Sequence, residues 1–355
     1  MRLSAILVTL AVLVPAAATQ AQSLDSNIKA FNGTITEYDY DFATGTLSKP
    51  LPSPASAPAV IYDNTAGNGF FFTPGPGFKQ MDWGTVTTAG HDGVTAFQIG
   101  YATDQMAPVS MNIWFTSGGA GTLGFGTQGT TIAAFGLSGL PGSVSGGVEA
   151  YLINVALGSF CFILPDGDVG YAYELMDTDT GPLLIGPPNE AGVDNAFDRY
   201  DLADAYIGTF WFGGSPFASF HMQLTGHESY VDFGAACAGN GGFSPQLTMS
   251  GCACSGGSIT LDLTDGEGGA PFALAFDLGL GGPTLGNGCT IDVGWPSAYF
   301  IFLGTLPGAG PGGGAFNATT GVPLSPGVVF NMQALISDST TGIITSNGVE
   351  VSIAP

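Results

Sequence analysis

The run Glu37-Tyr38-Asp39-Tyr40-Asp41-Phe42 sets three carboxylates on alternate residues. On an extended strand successive side chains point to opposite faces, so Glu37, Asp39 and Asp41 share one face and the aromatics take the other. Residues two apart stand roughly 7 Å apart along a strand, a workable separation for the acid and nucleophile of glycoside cleavage. The competing reading is an amphipathic strand with its rings in the core and its acids in water. There the charges also discourage edge-to-edge aggregation. We adopt that reading and assign no catalytic residue, keeping a retaining, polysaccharide-cleaving hydrolase on Glu37, Asp39 and Asp41 as the alternative.

A second acidic group reads as loop-borne: Asp166 and Asp168, Asp177 and Asp179, then Asp194, Asp198, Asp201 and Asp204. Hard oxygen ligands on turns suit calcium, and Asp177, Asp179, Asp194 and Asp198 are the candidate ligands. Asp and Gly also build turns by capping their own backbone, the competing account. No EF-hand is present, because Pro188 stands where that loop needs its last acid. The chain is expected to need no cofactor, with calcium as the one ion it would accept.

The histidines add little for an enzyme. His91 precedes a turn Gly, His221 lies in a strand pattern facing solvent or a core hydrogen bond, and His227-Glu228 lacks the second His of a zincin helix. No Gly-x-Ser-x-Gly elbow offers a nucleophilic serine.

Aromatic residues offer binding instead. Trp114 and Trp211 are flanked by apolar neighbours and are assigned to the core. Trp83 and Trp295 sit at turn-like positions, and with Tyr101 and Tyr230 they are the candidates for stacking on sugar rings.

Five basic residues against 28 acidic ones give a net charge of −23. After Arg199 there is no lysine or arginine. Such a chain cannot displace counterions from a phosphate backbone, which excludes nucleic acid, and anionic membrane surfaces are disfavoured for the same reason. Self-repulsion points to a monomer. Residues 1–21 read as a secretory signal, with Arg2, the apolar run Ala5 to Val14 and a small-residue site ending at Ala18 or Ala21. That run is about half the roughly 20 residues a membrane span needs. The expected location is extracellular or at the cell surface, with no membrane span in the mature chain.

Exported chains use disulfides. Cys237, Cys252, Cys254 and Cys289 cluster late, and two bridges are expected among them in any of three pairings, with Cys252 and Cys254 pointing the same way and unsuited to bond each other. Cys161, between large apolar residues, reads as a buried thiol. The spacing C-x14-C-x-C-x34-C lacks the paired knuckles of zinc sites.

Helix signals are nearly absent, and short alternating runs recur between Gly, Pro, Asp and Asn clusters. They include Thr34 to Phe42, Ala59 to Asp63, Ala96 to Thr103, Met111 to Thr116, Val148 to Val155, Gly170 to Met176, Ala205 to Phe212 and Ala218 to Thr225. Further runs follow at Gln246 to Met249, Ser258 to Thr264, Phe272 to Phe276, Thr290 to Val293, Tyr299 to Leu303, Val328 to Ile336 and Gly348 to Ile353. Leu306 to Gly314 reads as a flexible excursion between strands. The class is all-β: a jelly-roll-like sandwich over 22–230, then an immunoglobulin-like or fibronectin-like sandwich over 231–355. The boundary falls between Gly226 and Cys237.

The phrases IYDNT at 61–65, GFFFTPG at 69–75, QIGYATD at 98–104, GPLLIGPPNEAGVDNAFDRY at 181–200 and CAGNGGFSPQLTMSGC at 237–252 resemble those of secreted, acidic, Gly-rich β-proteins of planctomycete type. In that family a sandwich is followed by a small C-terminal β-domain. The resemblance implies a secreted or cell-surface protein without catalysis, and it brings no active site. The acidic strand is separately similar to that of jelly-roll β-glucanases, although its third position is Asp41 rather than Glu. The expected role is structural, adhesive or polysaccharide-binding, with a polysaccharide or a cell-surface component as partner.

Overall fold

The computed structural model describes residues 22–23, 28–31, 33–50, 59–88, 90–119, 121–185, 196–211, 218–322 and 325–354. The expected leader and Asp194 lie outside these residues.

Alternation of apolar and polar residues dictates most strands. Val109–Gly118 buries Val109, Met111, Ile113 and Phe115 and turns Ser110, Asn112 and Trp114 outward. Met222–His227 does the same. A strand with one apolar face must cover it, and two such sheets stacked face to face do so. The chain is accordingly all-β, and among the described residues the strands form sheets of seven, ten, five and three.

The seven-stranded sheet runs Gln22–Ser23, Tyr206–Trp211, Phe197–Asp201, Phe78–Val86, Gly167–Leu175, Val109–Gly118, Thr130–Leu140. The ten-stranded sheet centres on Gly93–Thr103, flanked by Glu149–Ala156 and Met222–His227. Beyond Glu149–Ala156 lies Ile35–Asp41, paired in parallel, and beyond Met222–His227 lies Ala59–Asn64. Phe97, Ile99 and Val155 from this sheet pack with Ile113, Phe115 and Phe135 from the other in one core.

No sheet among the described residues mixes strands from before His227 with strands from Tyr230 onward. The later residues form a five-stranded sheet, ordered Tyr230–Phe233, Gly342–Ser352, Val329–Asp338, Pro271–Asp277, Tyr299–Thr305. A three-stranded sheet of Gln246–Gly251, Ser258–Gly268 and Gly310–Gly321 faces it. Leu247, Leu261 and Leu263 meet Phe272, Ile336 and Val349 between them.

Two sequence expectations are corrected here. The Gly-rich stretch expected to be a flexible excursion enters the strand Gly310–Gly321, where Gly266 and Gly268 face Gly314 and Gly310. The strands approach so closely that a Cβ on Gly268 would stand 2.3 Å from the Ala309 nitrogen, so glycine here permits pairing rather than mobility. Thr290 to Val293 is not a strand; it makes isolated bridges at Thr290 and Val293, and the Gln333 amide holds it by accepting from Asp292 N and donating to Thr290 O.

Candidate functional site

The acidic strand Ile35–Asp41 places Tyr40 in the core and leaves Glu37 and Asp41 exposed and Asp39 half-buried on the outer face of the ten-stranded sheet. Register then assembles a polar row that sequence alone could not join. Asp39 stands opposite Asn154, Asn154 opposite Gln98, Gln98 opposite Gln223, and Gln223 opposite Asp63. Asn154 Nδ2 donates to Glu37 Oε1 at 2.8 Å and to Asp39 Oδ1 at 3.0 Å. Gln98 Nε2 donates to Asn154 Oδ1 at 2.7 Å.

With its amide nitrogen so engaged, Gln98 presents Oε1 to His221 Nε2 at 2.9 Å. The histidine must therefore carry its proton on Nε2, and the row runs donor to acceptor from His221 to the two carboxylates. Burial pushes the His221 imidazole down to about 4, against the opposing pull of Asp63, so it is neutral at pH 7. Oxygens that reach one nitrogen lie within roughly 6 Å of each other, an upper limit that leaves room for the roughly 5 Å of a retaining pair. Asp41 does not join them. It caps the following turn, accepting from the backbone of Ala43 and Thr44.

Trp83 and Tyr101 overturn their assignment as exposed stacking residues. Trp83 lies inside the strand Phe78–Val86 and is 7% exposed, because the loop around Leu123 and Phe125 closes over the outer face of the seven-stranded sheet. Gly124 makes that closure possible, since its φ of +92° and missing Cβ let the loop lie against the indole. Tyr101 is 1% exposed, with its hydroxyl donating to Pro141 O. Trp211, assigned to the core, is exposed. Trp114 is half-buried beneath Lys79, whose Nζ stands 4.5 Å from the ring centroid.

The other two ring candidates are reachable. Tyr230 is half-buried, donates to Ser250 O and Gly251 O, and lines a cavity of about 380 Å³ with Asp92, Ile163 and Thr248. Trp295 is 50% exposed, its ring 5.9 Å from Phe300.

Around Trp295 the structure shows what sequence reading missed. The edge strand Tyr299–Thr305 leaves Tyr299, Phe300, Ile301, Phe302 and Leu303 all exposed, on both faces. Its inner face opens on a groove of about 900 Å³ between the C-terminal sheets, floored by Leu261, Phe276, Phe316 and Met332. Between Asp292 and Asp338 the chain carries no charge, and that composition was the available signal.

Of the expected calcium ligands, the three among the described residues, Asp177, Asp179 and Asp198, are not gathered. Asp198 is buried in the strand Phe197–Asp201 and saturated by Gly126 N, Tyr200 and Thr209. Burial raises its carboxyl above the usual range. Asp177 and Asp179 form a turn elsewhere, with Asp177 Oδ1 accepting from Asp179 N at 3.0 Å. Among the described residues the group of three ligand atoms within 4.8 Å of one another is made of sulfur: Cys161, Cys252 and Cys254. This also corrects the expected bridges. Cys237 bonds Cys289, while Cys161 lies beside Cys252 and Cys254 instead of standing alone.

A further centre was also missed. Asp82 is fully buried and accepts from Trp83 N, Phe220 N, Ser219 Oγ and Tyr171 OH. Burial pushes its carboxyl up to about 7, although those hydrogen bonds pull it down.

No protein-family model matches the chain, and no curated protein matches it. Among solved structures, the β-glucuronidase of Bifidobacterium dentium complexed with coumarin-3-O-glucuronide aligns with 83% of this chain at 9% identity and a TM-score of 0.17. The alignment spans 48% of that enzyme, about half its length.

Proposed function

We propose that the protein is a secreted or cell-surface adhesion protein without catalytic activity, which grips an insoluble polysaccharide through the edge of its C-terminal sandwich. The observation that carries this reading is the exposed run Trp295, Tyr299, Phe300 and Phe302, in a segment that itself contributes no charged side chain. Rings on a strand have a fixed spacing and lose little freedom on stacking, so they suit a flat, repeating sugar face. Soluble proteins rarely leave so much contiguous apolar surface bare, which supports a binding role.

A second reading, hydrolysis by Glu37 with Asp39, draws on their shared Asn154. It is weaker because both sit on an open sheet face and line neither of the two cavities described above.

Retention of the purified chain on a panel of insoluble polysaccharides, with sugar release followed in the same tubes, separates the two. Adhesion gives retention without release. It also gives roughly tenfold weaker retention in Trp295→Ala combined with Tyr299→Ala, about 1.4 kcal/mol. Sugar release that vanishes in Glu37→Gln would replace this reading with the enzyme.

A further inference from the structure

The chain has five cysteines, an odd number, so one sulfur must lack a partner within the chain. Cys237 and Cys289 are bonded to each other, which places the unpaired sulfur among Cys161, Cys252 and Cys254. The Cα of Cys161 stands 6.2 Å from that of Cys252 and 6.5 Å from that of Cys254, and both separations suit a disulfide. A disulfide sulfur takes one partner, so whichever bond Cys161 makes, the third sulfur stands beside it as a thiol.

We propose that these three residues form a thiol–disulfide exchange site, in which one bond from Cys161 alternates between Cys252 and Cys254. In one direction the Cys254 thiolate attacks Cys161 Sγ; the Cys161–Cys254 bond forms, the Cys161–Cys252 bond breaks, and Cys252 leaves as the thiolate. No oxidant or reductant is consumed. Local geometry holds both acceptors in place. Cys254 N donates to Cys252 O at 2.9 Å and Gly257 N to Cys254 O at 2.8 Å. A Cβ on Gly257 would stand 2.9 Å from Cys254 Sγ, so glycine keeps the space that the sulfur uses.

The two bonded forms differ in what they show to solvent. Cys254 is 1% exposed, whereas Cys252 is half-buried. Bonding Cys161 to Cys252 hides the free thiol, and bonding it to Cys254 presents the thiol of Cys252. In that second form the site can take an incoming small disulfide. The Cys252 thiolate attacks one of its sulfurs, the external S–S bond breaks, and the other half departs as a thiolate. Either internal bond joins the two groups of sheets, since Cys161 precedes the strand Phe162–Ile163 and Cys252 follows Gln246–Gly251. The exchange therefore leaves that covalent link in place at every step.

The test is peptide mapping of the full, unreduced chain. Quenched in acid, it should yield both linked peptides, 161 to 252 and 161 to 254. Prolonged N-ethylmaleimide treatment of the folded chain at pH 8 should label Cys252 and reduce the 161 to 252 link at least tenfold, because alkylation drains the equilibrium. Oxidised glutathione as probe should add one glutathione at Cys252. Cys252→Ser and Cys254→Ser should each show one link, no label and an unchanged melting temperature, which separates lost exchange from lost folding. A single persistent 161 to 252 link with an unreactive Cys254 would overturn the proposal. So would a bound metal with all three sulfurs reduced, or a disulfide-linked dimer.

Discussion

Asp82 accepts a 2.6 Å hydrogen bond from Ser219 Oγ, 137 residues further along the chain, in the interior of the N-terminal sandwich. Tyr171 joins them, donating to Asp82 Oδ2 at 2.9 Å, and Asn64 donates to Tyr171 and Ser219. One carboxylate thus ties the strand Phe78–Val86 to Gly167–Leu175 of its own sheet and to the chain leading into Met222–His227 of the opposite one.

Replacing that carboxylate should be costly. Asp82→Ala strands four buried donors and is expected to lose roughly 3 kcal/mol of stability. Asp82→Asn keeps the shape but turns an amide donor toward at least one of them, and roughly 2 kcal/mol should go. Urea unfolding followed by tyrosine and tryptophan fluorescence measures both. A loss within about 0.5 kcal/mol, the level of a surface change, would show that the network carries no weight.

Two buried groups should set opposing pH dependences. Asp82 has its folded value raised to about 7 from 3.8, so its contribution is present in acid and is lost as pH climbs between those values. His221 has its folded value lowered to about 4 from 6.5, so its contribution is present above 6.5 and is lost as pH falls toward 4. The slopes offset one another over that shared window. His221→Gln keeps a donor for Gln98 and should leave a melting temperature that drifts down from about pH 4 to 7, by the Asp82 slope alone. Asp82→Asn should show the opposite tilt below 6.5. Calorimetric scans across this range check both signs, and parallel profiles for the two variants would contradict the assignment.

Asn154→Asp would put a third carboxylate between Glu37 and Asp39. Like charges facing each other across strands are destabilising, and about 1–2 kcal/mol should be lost at pH 7. The loss should shrink at high salt, which screens the repulsion. A deficit unchanged by salt would mean that packing, not charge, is disturbed.

Gly124→Ala tests the cover over Trp83. A Cβ there would stand 2.4 Å from the indole, and the φ of +92° is one that alanine avoids. The loop must lift, at a cost of about 2 kcal/mol. Tryptophan emission should shift to longer wavelength as water reaches the ring, and an unmoved spectrum would show that the loop adapts without opening.

Much of the architecture was legible in the chain. Period-two alternation is written locally, so runs such as Ser258 to Thr264 and Gly348 to Ile353 announce their strands and their buried faces. Gly167–Leu175 is harder, because it is buried on both faces and its outer cover is supplied by Thr122 and Leu123, which donate to Asp168. Loops hid the fate of single rings. Trp83 reads as a turn residue in its own neighbourhood and is covered by a segment some forty residues away, at a distance that no periodicity encodes.

What the sequence by itself determined is the all-β class, a strongly acidic balance with a net charge of −23, and an odd number of cysteines. Each follows from composition or from alternation within a few residues. Only the tertiary structure decided that Glu37 and Asp39 meet Asn154, that Asp82 lies in the core, that Cys161 stands beside Cys252 and Cys254, and that the edge from Trp295 to Leu303 stays bare. The physical reason is that these outcomes depend on strand register and on which segment covers which face. Both are set by packing between residues far apart in the chain.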